Sequence, residues 1–339
     1  MNRFGRSRPF RFAAATLIGI ATGSAVALAA PPVYVAVIGA ANPFDGIDVG
    51  GFATPALADL DADGDLDFLA GERGGAFFYF ENSGTPQDPI FVPRTGTENP
   101  LDGAMVDEYS WPAFADLDGD GDFDLVSGEH FGLSYYENTG TAVRPGFVAR
   151  AGAANPFAAI PALNNPAPGF ADLDDDGDLD LVAGGSDGRF RSFENTGTPL
   201  IPVFSERTGI ENPLDGQDVG NFSTAAFADA DGDGDFDFVA GLPTGAFRWF
   251  DNTGNAESPV FMLRSGEQSP LLGLGAGSFS TATFADLDGD GDADLVSGMA
   301  TGKFAFFRAP EPGTAASVSA VALLSLATLA KRRKRRALR

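Results

Sequence analysis

The chain has 339 residues, 44% of them apolar and 31 of them phenylalanine, so it can bury a large core and is not a disordered polymer despite 44 glycines and 23 prolines. Its formal charge is −25, and eleven of the 22 basic residues lie in the two end segments, so the stretch between them is more acidic still; such a surface repels nucleic acid and anionic lipid and attracts cations. The absence of cysteine and the single histidine, His130, exclude disulfides, thiolate zinc sites and multi-histidine centres, and no G-x-S-x-G motif accompanies that histidine.

At the start, Arg3, Arg6, Arg8 and Arg11 precede an apolar stretch from Phe12 to Ala30, and Ala27-Leu28-Ala29 supplies the small-x-small pattern that signal peptidase reads. Residues 1–29 therefore predict a helical secretory signal cleaved after Ala29. An uncleaved membrane anchor is the alternative.

Between the ends one pattern recurs. Asp59-Leu60-Asp61-Ala62-Asp63-Gly64-Asp65-Leu66-Asp67 returns beginning at Asp116, Asp172, Asp229 and Asp286, a period of about 57 residues. Each unit predicts four short strands. The first precedes the acidic loop, as in Ser110 to Ala115 or Ser280 to Ala285. The second follows it, as in Asp124 to Gly128. The third is aromatic, as in Phe77 to Phe80, Phe247 to Phe250 and Phe304 to Phe307, and usually ends in an Asn-Thr-Gly turn. The fourth reads Pro-apolar-Phe and then Arg, as in Pro89 to Phe91 with Arg94. Aromatic residues on both faces of the third strand predict burial on both sides, as in a small sheet held between neighbours. Four-stranded sheets arranged radially make a β-propeller, here all-β with five blades.

Pro32-Val33-Tyr34 and the residues after it align 57 residues upstream of Pro89-Ile90-Phe91, so residues 30–309 open with a fourth strand and close with a third. The N-terminal strand is thus expected to complete the last blade, closing the ring and hiding an edge.

Alternate carboxylates with glycine at the sharp turn suit Ca²⁺, which takes six to eight hard oxygens. The ligand set read from this spacing is Asp59, Asp61, Asp63, Asp65 and Asp67; Asp116, Asp118, Asp120, Asp122 and Asp124; Asp172, Asp174, Asp176, Asp178 and Asp180; Asp229, Asp231, Asp233, Asp235 and Asp237; and Asp286, Asp288, Asp290, Asp292 and Asp294. The first, third and fifth positions would give side-chain oxygens, the seventh its backbone carbonyl and the ninth a closing carboxylate. Flanking strands and an acid at position nine separate these loops from EF-hands. About five structural Ca²⁺ ions are expected, with affinities of about 10⁻⁴ to 10⁻³ M. In the third unit Asp175 adds an acid and Ala158-Ala159 stand where other units have Asp-Gly, which leaves the loop shape there open.

On these residues the stretch from 32 to 308 resembles the FG-GAP or VCBS repeats, found also in the integrin α-chain head. That resemblance implies a β-propeller with structural Ca²⁺ in such loops. After it come Pro310-Glu311-Pro312-Gly313, an apolar segment from Ala315 to Ala330, and Lys331 to Arg336. The three parts in this order resemble the PEP-CTERM sorting signal, which implies recognition and cleavage of residues 310–339 by an exosortase-like enzyme. A plain helical transmembrane anchor is the alternative, its basic cluster cytoplasmic.

The leading functional expectation is a noncatalytic exported scaffold at the cell surface or in the extracellular matrix, touching the membrane only through its C-terminal segment. Its partner would be an extracellular polysaccharide or a surface protein. The contacts would come from the variable connections Asn99 to Tyr109 and Asn155 to Pro168. The second reading is a polysaccharide lyase or hydrolase, which needs an acidic pair outside the five loops, among Asp45, Asp48, Glu108, Asp215 and Asp218.

Overall fold

The computed structural model describes residues 33–309 except 142 and 232. The helical segments expected at residues 1–29 and 310–339 lie outside the described residues. Among the described residues, no helix is long and apolar enough to cross a membrane.

The described strands make five antiparallel four-stranded sheets. The first blade is β2 (Thr54–Ala58), β3 (Asp67–Gly71), β4 (Phe77–Asn82) and β5 (Phe91–Arg94), numbered after the N-terminal strand β1 (Val35–Val37). The second is β6 (Trp111–Ala115), β7 (Asp124–Glu129), β8 (Gly132–Asn138) and β9 (Phe147–Arg150). The third is β10 (Ala167–Ala171), β11 (Asp180–Gly184), β12 (Phe190–Asn195) and β13 (Phe204–Arg207). The fourth is β14 (Thr224–Ala228), β15 (Asp237–Gly241), β16 (Phe247–Asn252) and β17 (Phe261–Arg264). The fifth joins β18 (Thr281–Ala285), β19 (Asp294–Gly298) and β20 (Phe304–Arg308) to β1.

Ring closure follows the repeat register. Strand β1 pairs antiparallel with β20, Val35 opposite Arg308 and Val37 opposite Phe306. The outermost strand of the last blade thus comes from the beginning of the chain, so neither end of the ring offers an unpaired third strand as an edge. Tyr34 fastens the seam: it is buried, and its hydroxyl donates to the carbonyl of Ala293 at 2.8 Å.

The core is divided among the five gaps between blades. Phe77 and Tyr79 of the first blade meet Leu125 and Tyr136 of the second. Tyr135 meets Leu181 and Phe193, Phe190 meets Phe238 and Phe250, and Trp249 meets Leu295 and Phe307. Phe304 and Phe306 meet Phe68 and Phe80 to close the circle. Consecutive residues of a strand point to opposite faces, so Tyr79 and Phe80 fill two different gaps, which is why the third strand carries adjacent large residues. Phe78 departs from the expected pattern at 39% exposure, and arginines occupy its place in β12 and β16.

The glycine that closes the second strand of each blade is set by close approach to the next blade. A Cβ on Gly128, at the end of the second strand, would fall on the carbonyl of Pro166 in the next blade; Gly71, Gly184, Gly241 and Gly298 meet Ser110, Ser223, Ser280 and Ala53 in the same way. Inner strands of neighbouring blades can approach this closely only where a side chain is absent.

Candidate metal centres and the opposite face

The acidic loops join the first strand of each blade to the second, and they fold on themselves before any ion is considered. In loop one the Gly64 N–H donates to Asp59 Oδ2 at 3.2 Å, the Asp63 N–H to Asp61 Oδ1 at 3.2 Å, and the Asp65 N–H to Asp63 Oδ1 at 3.1 Å. Loops two, three and five repeat these three bonds; in loop four the Asp233 N–H turns instead to Asp229 Oδ1 at 3.0 Å. Gly64 has φ 99°, in the left-handed half of backbone space, and its four counterparts lie within about ten degrees of it. Loop three keeps the shape of the others. Asp175 takes φ 56°, close to Ala62 at 59° in loop one, so the extra acid leaves the loop shape unchanged. The Ala158-Ala159 turn likewise keeps the backbone bonds of its Asp-Gly counterparts, with Ala158 N–H to Asn155 O matching Asp102 N–H to Asn99 O.

Folding this way brings positions one, three and five together. In each of the sets Asp59/Asp61/Asp63, Asp116/Asp118/Asp120, Asp172/Asp174/Asp176, Asp229/Asp231/Asp233 and Asp286/Asp288/Asp290, one oxygen per residue lies within 4.8 Å of the others. Each set also holds a buried carboxylate oxygen with no hydrogen-bond donor: Oδ1 of Asp59, Asp116, Asp172 and Asp231, and Oδ2 of Asp290. A buried acceptor without a donor is costly, and here the missing partner is matched in chemistry by a hard cation. Burial, with the neighbouring carboxylates adding to it, pushes Asp116 and Asp231 up to about 6; burial does the same to Asp172, again to about 6. Clustered carboxylates of this kind favour either protons or a cation. The donor set therefore fits a divalent ion bound by oxygen.

Position nine also straps the loop to its blade. Asp67 Oδ1 accepts from the Asn82 N–H at 2.8 Å, and its Oδ2 from the Leu60 N–H at 3.3 Å and the Tyr79 hydroxyl at 2.9 Å. Asp124, Asp180, Asp237 and Asp294 accept the matching backbone bonds, from Asn138 and Leu117, Asn195 and Leu173, Asn252 and Ala230, and Ala309 and Leu287. Both oxygens are engaged by protein donors, so the side chain ties the loop to the end of the third strand. Burial outweighs these bonds and pushes Asp67, Asp124, Asp180 and Asp294 up to about 7 and Asp237 up to about 8. At position seven, Asp65, Asp122, Asp178, Asp235 and Asp292 each donate a backbone N–H to the position-five carboxylate, which fixes the turn.

The arginines of the fourth strands pair within their blades. Arg94 bonds Glu81 through Nε at 2.9 Å and Nη2 at 3.0 Å, Arg150 does the same with Glu137, Arg264 pairs with Asp251 at 2.8 Å, and Arg207 pairs with Glu194.

The opposite face carries the connections between blades and the hairpins joining second to third strands, and two features there act between blades. The first is a serine clamp. Ser110 Oγ accepts the Glu72 N–H at 2.8 Å and donates to Ala76 O at 2.8 Å, fastening the second blade to the first; Ser223 and Ser280 make the same pair of bonds. The second is a collar of residues in left-handed backbone, one per blade, just before the first strands: Phe52 (φ 58°), Tyr109 (55°), Asn165 (48°), Phe222 (55°) and Phe279 (54°). Their rings meet edge to face, Phe52 with Tyr109 at 5.5 Å and with Phe279 at 5.0 Å, and Phe279 with Phe222 at 5.7 Å. Arg73 lies over the Tyr109 ring, 5.7 Å from its centre. The aromatic series at 57-residue spacing is visible in the sequence; its strained backbone is not.

Of the acids considered for catalysis, Asp48 and Asp218 each accept a backbone N–H two residues on, from Gly50 and Gly220, and so shape turns. Glu108 lies 3.6 Å from His130 Nδ1, and that imidazole stacks on the exposed Phe131.

Five blades in a closed ring, each with a carboxylate triad that fits a cation between its first two strands, define a repeat propeller with metal-type loops. The chain belongs to the FG-GAP-like repeat family, whose model matches residues 59–127, 172–240 and 229–297, more than half of its length. Among curated proteins, none matches the sequence. Solved structures with similarity to it include the Photorhabdus luminescens Tc holotoxin pore, at 21% identity over 76% of this chain and TM-score 0.34; this chain spans 11% of that one. An Agrocybe aegerita lectin described as recognising non-reducing terminal N-acetylglucosamine is similar at 17% identity, over 81% of this chain and 84% of its own, with TM-score 0.41. A GH43_1 enzyme from Xanthomonas citri is similar at 10% identity, over 82% and 90%, with TM-score 0.48.

Proposed function

We propose that this protein is an exported, calcium-holding binding scaffold without catalytic function, working at the cell surface or in the extracellular matrix. Its partner is an extracellular polysaccharide or a surface protein, met by the collar face. The observation that carries this reading is the collar itself. A non-glycine residue in left-handed backbone costs about 1–3 kcal/mol, and such strain persists where the surrounding structure has a use for it. Here it recurs in every blade and gathers four aromatic rings on the face that also bears the variable connections Asn99 to Tyr109 and Asn155 to Pro168.

Calcium belongs to the opposite face. The triads and their donorless buried oxygens support a structural ion in each loop, held by Asp59, Asp61 and Asp63 and their counterparts; the ion supplies charge neutralisation and cross-links the loop. Export rests on the signal at residues 1–29, and surface sorting on the Pro-Glu-Pro, apolar and arginine-rich parts of residues 310–339, cut by an exosortase-like enzyme.

The test is an array of bacterial polysaccharides and surface proteins probed with the full chain in Ca²⁺ and in EDTA, alongside Phe52→Ala and Phe279→Ala. Binding that needs calcium and is lost in variants that still fold supports the scaffold. Turnover of any polysaccharide on the array would replace this reading with the enzymatic one.

A further inference from the structure

The five loops are not equivalent, and the difference lies at the seam. In four blades the residue before the asparagine that ends the third strand is acidic: Glu81, Glu137, Glu194 and Asp251. Each pairs across to an outer-strand arginine, Arg94, Arg150, Arg207 and Arg264. In the closing blade both partners differ. Arg308 stands in the acid's place on β20, and Val37 stands in the arginine's place on β1. With no acid on β1 to pair with it, Arg308 turns to the metal-type loop. Its Nε lies 2.8 Å from Oδ2 of Asp288, the position-three carboxylate of loop five, which is 13% exposed. The contact is one of charges and not an aligned hydrogen bond, since the buried Nε has no acceptor in bonding geometry. The equivalent acids Glu81, Glu137 and Asp251 act in the opposite sense, their negative charge bearing on Asp61, Asp118 and Asp231; in the third blade Arg207, itself paired with Glu194, bears on Asp174.

We propose that Arg308 makes loop five the weak calcium site of the ring, a built-in guanidinium competing with the ion for Asp288. The inference rests on the calcium reading above and concerns only how the five sites differ. Ligand charge sets the affinity of oxygen-donor calcium sites. A carboxylate whose charge already faces a guanidinium offers less net negative charge to an ion, so an ion entering loop five must displace Arg308 or accept a less negative shell. The same pair gives the closing blade a cation of its own. When calcium is scarce, loop five keeps one compensating positive charge beside Asp288 while the other four lose their ions.

Calcium binding to the full chain, measured by equilibrium dialysis and calorimetry, tests this directly. The wild type is expected to bind four ions in one class and a fifth about tenfold or more weakly, in keeping with the range over which ligand charge tunes such sites. Arg308→Gln should bring the fifth ion towards the other four. Val37→Glu should do the same without touching the loop, by giving Arg308 a cross-strand acid and drawing it off Asp288. Melting in excess Ca²⁺ verifies that both variants fold. Five equivalent sites in the wild type, or a weak class unmoved in both folded variants, overturn the proposal and leave the calcium reading standing. No calcium bound at any loop overturns both.

Discussion

At the scale of single residues, stability depends on positions that look unremarkable in the sequence. Ser110 is one. Its hydroxyl serves an N–H and a carbonyl of the preceding blade at once, so Ser110→Ala leaves both without that partner. A loss of about 1–3 kcal/mol is expected, read as a lower urea midpoint at unchanged slope. The glycine at the end of the second strand is more severe. A methyl group on Gly128 meets the Pro166 carbonyl, so Gly128→Ala must push two blades apart, and a loss above about 3 kcal/mol or failure to fold is expected. An equally stable Gly128→Ala protein would show that the gap between blades is looser than described.

At the scale of elements, the closing strand decides whether the ring is one cooperative body. Strand β1 is three residues long and its blade is built from both ends of the propeller, so its hold depends on anchors beyond the ladder. Tyr34 is the main one, buried in the gap between the fourth and fifth blades and bonded to Ala293. Tyr34→Ala is expected to cost about 3–5 kcal/mol, like other buried aromatic truncations. It should also raise amide exchange first in β20, the strand β1 covers. Uniform exchange across all blades would mean that the seam is not where the ring opens.

At the scale of the whole molecule, metal and protons compete for the same carboxylates. Calcium removal should lower the melting temperature sharply, because each site filled at a hundred times its dissociation constant adds about 2.7 kcal/mol. The pH dependence of the chelated protein follows from position nine. Asp67, Asp124, Asp180 and Asp294 are held near 7 by burial against an ordinary value of 3.8, so the fold favours their protonated forms. That contribution is fully present below about 3.8 and is lost as pH rises through about 7. In EDTA the melting temperature should therefore fall between pH 5 and pH 8. With Ca²⁺ in excess it should flatten or rise over the same range, because the triads take the ion only when ionised. Calorimetric scans in both buffers distinguish these slopes, and a chelated protein that grows more stable towards pH 8 would contradict the raised values.

What the sequence determined by itself was everything that repeats locally. The 57-residue period, the four strands per unit, the acidic loop with glycine at its turn and the offset between the two ends are properties of short stretches compared with one another, and they carry the five-bladed ring and its closure. Tertiary structure decided what those stretches do to each other. Asp67 and its counterparts read as ligands because their spacing continues the alternation; their straps to Asn82 and to Leu60 exist only once the third strand lies beside the loop. Ser110, Gly128 and the collar act across gaps between blades, and Arg308 faces Asp288 in a blade whose outer strand β1 brings no acid to its side. Periodicity records which residues share a role, whereas burial and charge pairing depend on neighbours that the fold alone supplies.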